Sequence, residues 1–472
     1  MANYYAVCVK PSCLWTEETL IDKRIDAHFY SIKYMQYYNK LMKCKIKKMS
    51  LYNICSRMNS GPFGSALLAS QYVDKGVAFI RPLNCKDYIV DIDNDVVFIS
   101  KEDSERLKSS KFSSGDLIFT KIGNGIGDVA IIPQKIFECN ISGNLMGVKV
   151  KNNIDNYYVL TFLKSIYGQN QIWQGMMNSA KPKIDMDTLK SIVIPIPSPE
   201  IQKYIGDKVR KAEELREEAK TLQKEIDILL EVDMLLKEET DKVYNIYDSK
   251  INWTNEINIE DRIDPNFYQK KYISTIEKLG NNKVRLEKYV RITKTRYQTG
   301  NINKYIEISS INNSFGTIDE VEELRPEEIP TSAKYQVKEG DILVSLVRPT
   351  RKAISIVTKE YDNAICTGGF AVLQSKGKVP VEFLTAVLRT NFVGIQFERY
   401  CAGSTYPTIN EDDVVKVFIP MYSENQINKI TENYRRIIDN IYTSKKLIEE
   451  AKQDVEDLIE GNFDMSKVKA NS

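Results

Sequence analysis

The sequence predicts a mixed α/β fold in which two globular parts follow one plan. Three observations carry this reading: an internal duplication, short apolar runs of strand length inside each copy, and a helical pattern of about 35 residues closing each copy. At 472 residues the chain exceeds what one hydrophobic core supports, and dividing its length by about 150 gives roughly three units.

The duplication comes first. A shift of 238 residues brings Trp15-Thr16 onto Trp253-Thr254 and Arg24-Ile25-Asp26-x-x-Phe29-Tyr30 onto Arg262-Ile263-Asp264-x-x-Phe267-Tyr268. Identities continue at Lys33-Tyr34 with Lys271-Tyr272 and at Lys40-Leu41 with Lys278-Leu279, so that 13 of the 27 positions from Trp15 to Leu41 match. Unrelated sequence would give about one or two. Further along the shift is 225: Gly115-Asp116-Leu117 meets Gly340-Asp341-Ile342, Pro182-Lys183-Ile184 meets Pro407-Thr408-Ile409, and Val193-Ile194-Pro195 meets Phe418-Ile419-Pro420. The first copy therefore carries 13 extra residues between these landmarks, in the interior where two related domains with different targets would differ.

Inside the copies, runs such as Val77–Ile80, Val96–Ile99, Leu117–Thr120, Val129–Ile132 and Val148–Val150 read as strands. The second copy shows Tyr305–Ile308, Ile342–Ser345, Ala353–Val357 and Phe370–Leu373. Helical stretches are expected near 156–177 and 380–400.

Each copy closes on a helix. In the second, Ile427, Ile430, Tyr434, Ile437, Ile441, Ser444, Ile448, Ala451, Val455 and Leu458 alternate spacings of 3 and 4, the seam of a coiled coil. Ile205, Val209, Ala212, Ala219, Leu222, Ile226 and Leu229 or Leu230 form a less regular version in the first, where Pro197-Ser198-Pro199 and Glu200 suit a helix start. Such helices cannot bury their stripes alone. The expected architecture is two α/β domains separated and linked by two long antiparallel coiled-coil helices in a pseudo-twofold arrangement; packing of each helix on its own domain, or dimerisation through them, is the alternative. The boundaries read as 1–199, a helix at 200–243, 244–420, a second helix at 421–462, and a tail at 463–472.

Composition removes several chemistries. His28 is the only histidine, which excludes Ser-His-Asp triads and His-based metal sites. The eight cysteines form no C-x-x-C pair and read as small core residues in a reducing cytoplasm, and no run approaches the roughly 18 apolar residues of a membrane span. Gly123-Asn-Gly-Ile-Gly127 lacks the full phosphate-loop or dinucleotide-loop form and reads as a tight turn between strands. No [DN]-P-P-[YF] motif for a flipped adenine and no helicase P-loop occurs, although scattered carboxylates leave an independent nuclease formally open. No cofactor is expected. The near-even charge, 66 basic against 64 acidic residues, neither announces nor excludes a polyanion partner.

Taken in order, Ser60-Gly61-Pro62-Phe63-Gly64-Ser65, Ile80-Arg81-Pro82-Leu83-Asn84, Gly115-Asp116-Leu117-Ile118-Phe119-Thr120-Lys121, Ser179-Ala180-Lys181-Pro182-Lys183-Ile184, Ile194-Pro195-Ile196-Pro197 and the two closing helices resemble the specificity subunit of type I restriction-modification systems. The resemblance covers nearly the whole chain. It implies a non-catalytic cytoplasmic subunit with two target-recognition domains, each reading one half of a split double-stranded DNA sequence. It also implies helices that set the distance between the halves and dock two methyltransferase (modification) subunits, with restriction or translocase subunits as further partners. The repeated Trp-Thr and Arg-Ile-Asp-x-x-Phe-Tyr segments also resemble specificity modules of other modification methylases. A two-domain scaffold that binds proteins without reading bases is a further alternative.

A DNA reader needs basic groups for phosphates and amide, hydroxyl or guanidinium groups for base edges. The candidates are Arg81, Lys121, Asn124, Lys181 and Lys183 in the first copy, and Lys294, Arg296, Arg348, Arg351, Lys352 and Tyr406 in the second. For each alone, a solvated surface charge is an equal alternative. The Lys40, Lys43, Lys45, Lys47 and Lys48 run reads as a solvated helix end at least as readily as a phosphate track. The repeated Arg-Ile-Asp-x-x-Phe-Tyr reads as structural, an ion pair or capping carboxylate with aromatic anchors.

Overall fold

The computed structural model describes residues 26–470 apart from 63, 94, 124, 177–181, 231–261, 263, 281–282 and 404. The Trp-Thr pairs and two of the candidate residues, Asn124 and Lys181, fall outside that range. The chain divides into two compact units, one up to Glu214 together with Thr443 onward, the other Leu215–Tyr442.

In the first unit the strands are β1 (Lys48–Ser50), β2 (Cys55–Ser60), β3 (Val77–Ile80), β4 (Val97–Ile99), β5 (Lys111–Ser113), β6 (Leu117–Thr120), β7 (Val129–Ile131), β8 (Glu138–Ile141), β9 (Leu145–Val150) and β10 (Val193–Pro195). They pair as a short ribbon β1-β10, a sheet β2-β9-β6-β7 and a sheet β4-β3-β8-β5, in which β3 and β8 run parallel. The second unit has β11 (Lys283–Arg285), β12 (Val290–Thr293), β13 (Asn303–Ile306), β14 (Glu322–Leu324), β15 (Ala333–Gln336), β16 (Ile342–Ser345), β17 (Ile354–Ile356), β18 (Ile365–Thr367), β19 (Phe370–Ser375) and β20 (Phe418–Pro420). Their pairing is β11-β20, β12-β19-β16-β17 and β14-β13-β18-β15, again with one parallel pair, β13 and β18. Strand for strand, the two topologies are the same.

Burial explains why the central strands read as apolar throughout. Leu117 and Phe119 of β6 enter the cluster shared with helices, while Ile118 enters the cluster shared with the second sheet. Ile342 and Val344 of β16 divide from Leu343 in the same way. Each unit is thus a helical layer, a sheet and a second sheet, and a strand buried on both faces loses the alternation of a half-exposed one. Gly147 in β9 makes room for this packing, because a Cβ there would lie 2.3 Å from the Phe112 ring of the second sheet.

The helical layer of the first unit uses α1 (Ile32–Lys43), α2 (Asn156–Lys164) and α3 (Ile166–Gly175), near the predicted 156–177. Its long helix is α4 (Pro199–Leu230), starting at the expected proline. The second unit matches these with α5 (Lys270–Glu277), α6 (Val381–Leu388) and α7 (Asn391–Tyr400), and α8 (Glu424–Glu460) follows. Asp155 caps α2 by accepting from the Tyr157 and Tyr158 N–H groups at 2.9 and 3.0 Å.

Within the first unit the start of α4 packs antiparallel against the end of α8. Lys208 meets Asp454 at 2.6 Å and Glu450 at 3.4 Å, and Tyr204 meets Phe463, while Ile205, Val209 and Ala212 share a core with Ile448, Ala451, Val455 and Ile459. Within the second unit the remaining halves also run antiparallel: Glu225 accepts from Asn433 at 3.1 Å and Glu218 pairs with Arg436. There Ala219, Leu222, Ile226 and Leu230 share a core with Ile430, Tyr434, Ile437 and Ile441. The same clusters include the sheets, so the stripes bury against a partner helix and against the body of the unit together.

Three expectations need correction. The strand expected at 305–308 is Asn303–Ile306; the Glu307 N–H turns to the Ser310 hydroxyl at 3.1 Å and Ile308–Ser310 forms a 3-10 turn. The seam of α8 ends on Ile459, buried, rather than on Leu458, which is only partly covered. Val96 and Ile132 lie just outside β4 and β7. The extra length expected inside the first copy is there: it sits largely in the β2–β3 connection, residues 61–76 against 294–302 in the second unit, where Ser60-Gly-Pro-Phe-Gly-Ser65 has no counterpart.

The repeated Arg-Ile-Asp-x-x-Phe-Tyr is the structural device expected of it. Asp264 accepts from the Phe267 N–H at 3.1 Å and from Arg262 Nε at 2.8 Å, and Arg262 lies over the buried Phe267 ring. In the first copy Asp26 accepts from the Phe29 N–H at 3.1 Å.

Candidate nucleic-acid interface

One end of the central sheet carries most of the candidates. The β6–β7 loop, residues 121–128, and the β16–β17 loop, residues 346–353, have equal length at the constant shift of 225. Their anchors also correspond. The Lys121 N–H donates to the Asn144 carbonyl at 2.8 Å, and the Leu346 N–H to that of Gly369 at 2.8 Å. The Lys121 carbonyl accepts from Ile184 at 3.2 Å, and the Leu346 carbonyl from Ile409 at 3.0 Å. The loops are closed by Thr120 N–H to Asp128 O at 2.9 Å and by Ser345 N–H to Ala353 O at 3.1 Å. These bonds bring the Pro182-Lys183-Ile184 and Pro407-Thr408-Ile409 segments against their loops, so residues some 60 positions apart in sequence share one rim.

On this common frame the side chains differ. Gly123 and Gly127 take φ values of +113° and +89°; the residues at the same positions in the second unit are Arg348 and Lys352, with φ +48° and +60°. A left-handed backbone costs a residue with a Cβ about 1–2 kcal/mol, which glycine avoids. The second loop bears that cost twice. Among the described residues beyond its chain neighbours, no atom lies within 4 Å of a Cβ built on Gly123. Lys183 is exposed and Lys121 half-buried on the same rim.

Arg348 is held on several sides. Its N–H donates to the Pro407 carbonyl at 2.8 Å, its guanidinium lies 4.5 Å from the centre of the Tyr406 ring, and Nη2 donates to the Thr405 carbonyl at 3.3 Å. The Tyr406 side is 65% exposed. Arg351 is exposed beside it.

Below the loop lies Arg389, a buried residue with no counterpart among the sequence candidates. Its guanidinium donates to the carbonyls of Lys352 (2.8 Å), Ile354 (3.2 Å), Asn313 (2.9 Å) and Ser314 (2.9 Å), and burial pulls its pKa below the ordinary arginine value. At the shift of 225 its equivalent is Lys164, which donates to the Asp87 carbonyl at 3.4 Å. A basic residue retained at this position in both copies was the available signal for it.

Two candidates are committed inside the protein. Arg81 donates to the Asp95 carbonyl at 2.6 Å and steadies a turn in which Asp95 itself has φ +51°. Lys294 pairs with Glu411 at 2.6 Å. Glu411 also accepts from the Tyr335 hydroxyl at 2.8 Å; although burial works against it, Lys294, Tyr335 and Lys334 hold its carboxyl below the usual range. Arg296 stands exposed near this group. Three buried polar atoms lack a hydrogen-bond partner among the described residues near the rim of the first unit: Thr120 Oγ1, Ser142 Oγ and Arg81 Nε. Backbone bonds link their segments, Ser142 N–H to Ile80 O and Leu145 N–H to Ser142 O at 2.9 Å each, with Thr120 paired to Leu145.

Among the described residues no cluster of His, Cys, Asp or Glu could hold a metal, and no helix is long and apolar enough to cross a membrane.

The fold and its rims define a tandem α/β protein with one frame and two different loop surfaces. The family described as "Type I restriction modification DNA specificity domain" matches residues 75–227. The Type I restriction enzyme HindI specificity subunit of Haemophilus influenzae is 24% identical over 151 residues, 31% of this chain and 33% of that protein, so the match spans about a third of the curated relative. A type I restriction-modification S subunit from M. genitalium has a TM-score of 0.43 at 13% identity, over 89% of this chain and 97% of that one. The HsdS subunit from Thermoanaerobacter tengcongensis has a TM-score of 0.29 at 14% identity, over 88% and 97%. Over residues 75–227 the chain thus resembles the type I restriction-modification DNA specificity domain.

Proposed function

We propose that this chain reads a bipartite, asymmetric double-stranded DNA sequence and directs methyltransferase subunits to it, two per chain, while carrying no catalytic site itself. In a full system restriction or translocase subunits join the same assembly, and the whole acts in the cytoplasm. The observation that carries this reading is the pairing of duplicated frames with unlike rims: equal loops on equal anchors, glycine-lined in one unit and lined by Arg348, Arg351, Lys352 and Tyr406 in the other. A shared frame gives a shared docking geometry, and unlike rims give unlike half-sites.

On this reading Lys121 and Lys183 serve one half-site, with Asn124 and Lys181 assigned to it from sequence alone, and Arg296, Arg348, Arg351, Lys352 and Tyr406 serve the other. Arg81 and Lys294 support the surface through their internal partners. Methylome sequencing of the host with and without the chain tests the proposal. One two-part motif is expected to vanish with the chain; an unchanged methylome overturns the DNA-reading role.

A further inference from the structure

We infer that Arg348 is the residue through which the second unit recognises a guanine, by the O6 and N7 edge in the major groove. The inference rests on the DNA-reading role proposed above and adds the base and the side chain that reads it.

Backbone conformation is the first ground. Arg348 occupies a left-handed position, φ +48° and ψ +54°, where the equivalent residue of the first unit is Gly123. Glycine would fit this backbone without strain, so an arginine there is explained by its side chain. The second ground is how that side chain is seated. Stacking on Tyr406 at 4.5 Å occupies one face of the guanidinium, and the Thr405 carbonyl takes one N–H of its five. The remaining edge donors meet no carboxylate within ion-pair distance among the described residues. A planar fork with its face stacked and its edge open matches the paired acceptors of guanine.

Rigidity is the third ground. The Arg348 N–H is fixed to Pro407 at 2.8 Å, its carbonyl accepts from Arg351 N–H at 2.9 Å, and Pro349 follows, buried. From beneath, Arg389 holds the far end of the loop through the Lys352 and Ile354 carbonyls. A side chain ordered before binding loses little freedom when it meets its base. Neighbouring cations lack this combination: Lys294 is paired with Glu411, and Arg351 is exposed with no stacking partner among the described residues, suiting a phosphate.

The test combines three measurements on the full chain carrying Arg348→Gly, Arg348→Lys or Tyr406→Leu. Thermal melting of Arg348→Gly is expected at or above the wild-type temperature, since glycine relieves the strained backbone; a lower melting temperature would make the arginine structural and overturn the inference. In the host methylome, Arg348→Gly should relax a single guanine position in one half-site, losing roughly five- to hundredfold preference there and leaving the other half intact. Arg348→Lys should keep general DNA affinity and lose most of that preference, and Tyr406→Leu should weaken it less. Finally, 7-deazaguanine at that position should weaken wild-type binding and leave Arg348→Gly unaffected. Equal weakening on every duplex with a shallower salt dependence would mean a phosphate contact, and an unchanged motif would mean no contact; either sinks the assignment while the family reading stands. A wild-type chain with no dependent motif would remove both.

Discussion

Asp116 and Asp341 occupy the same turn in the two units, after glycines with φ +82° and +85°. Each carboxylate accepts the backbone N–H three residues before it, Ser113 at 2.9 Å and Lys338 at 2.8 Å, yet burial raises the pKa of both. Asp116 has Lys149 and Arg57 pulling its value back, whereas at Asp341 the pull of Lys338 is opposed by Asp362, so Asp341 is chosen for the experiment. A buried acid with a raised folded-state pKa contributes most below its unfolded value of about 3.9, and the contribution is lost as pH rises toward the folded value. Asp341→Asn keeps the acceptor and removes the ionisation. Its melting temperature relative to wild type should therefore climb as pH rises above the unfolded value and then level; parallel melting curves across that rise would show that burial costs nothing there. The role of Asp264 as a cap was legible in sequence, because an Asp three residues before a Phe-Tyr pair is a local arrangement. Arg389 was not, because its four carbonyl partners come from segments 35 to 76 positions away.

At the scale of elements, strands buried on both faces announced themselves as unbroken apolar runs, as in Leu117–Thr120 and Ile342–Ser345. Strands such as β2, Cys-Ser-Arg-Met-Asn-Ser, escaped because polar edge residues carry no period, and pairing with β9 decides them. The long helices were legible in both period and start. Their attachment to the globular layer was not. Arg210 of α4 pairs with Asp155, the residue capping α2, and stacks 4.6 Å from the Tyr157 ring; Tyr157 in turn donates to Glu213 at 2.5 Å. In the second unit Arg435, at the shift of 225, pairs with Glu382 at 2.6 Å in the first turn of α6. Both copies therefore pin the long helix with an arginine, but Arg435 is 60% exposed against 34% for Arg210. Solvent screening should leave the Arg435–Glu382 pair with a coupling of about 0.5 kcal/mol or less, and the Arg210–Asp155 pair with about 1–2 kcal/mol. Double-mutant cycles followed by urea denaturation check this, and equal couplings would mean that burial of the capping Asp155 adds nothing.

For the whole molecule, what matters is that the frame is interchangeable and the rim is not. Residues 121–128 and 346–353 are equal in length, close on equivalent hydrogen bonds and are gripped by equivalent segments at 184 and 409. The hydrogen bonds that close and anchor each loop are backbone bonds, so side chains can diverge there without breaking the frame. Replacing 121–128 by Leu-Val-Arg-Pro-Thr-Arg-Lys-Ala should therefore fold in the first unit, since neither length nor anchor changes. The transplanted arginine would lack the Tyr406 stack, so the swap is made with and without Lys181→Tyr, the position that the shift of 225 aligns with Tyr406. In a DNA reader built from two independent heads, this chimaera should add a guanine requirement to the half-site read by the first unit and leave the second half-site as it was. Methylome sequencing of a host carrying the chimaera reads the outcome directly. If both half-sites changed together, the units would not read separately; if a folded chimaera kept the original motif, specificity would lie outside the loops, in the longer β2–β3 connection of the first unit.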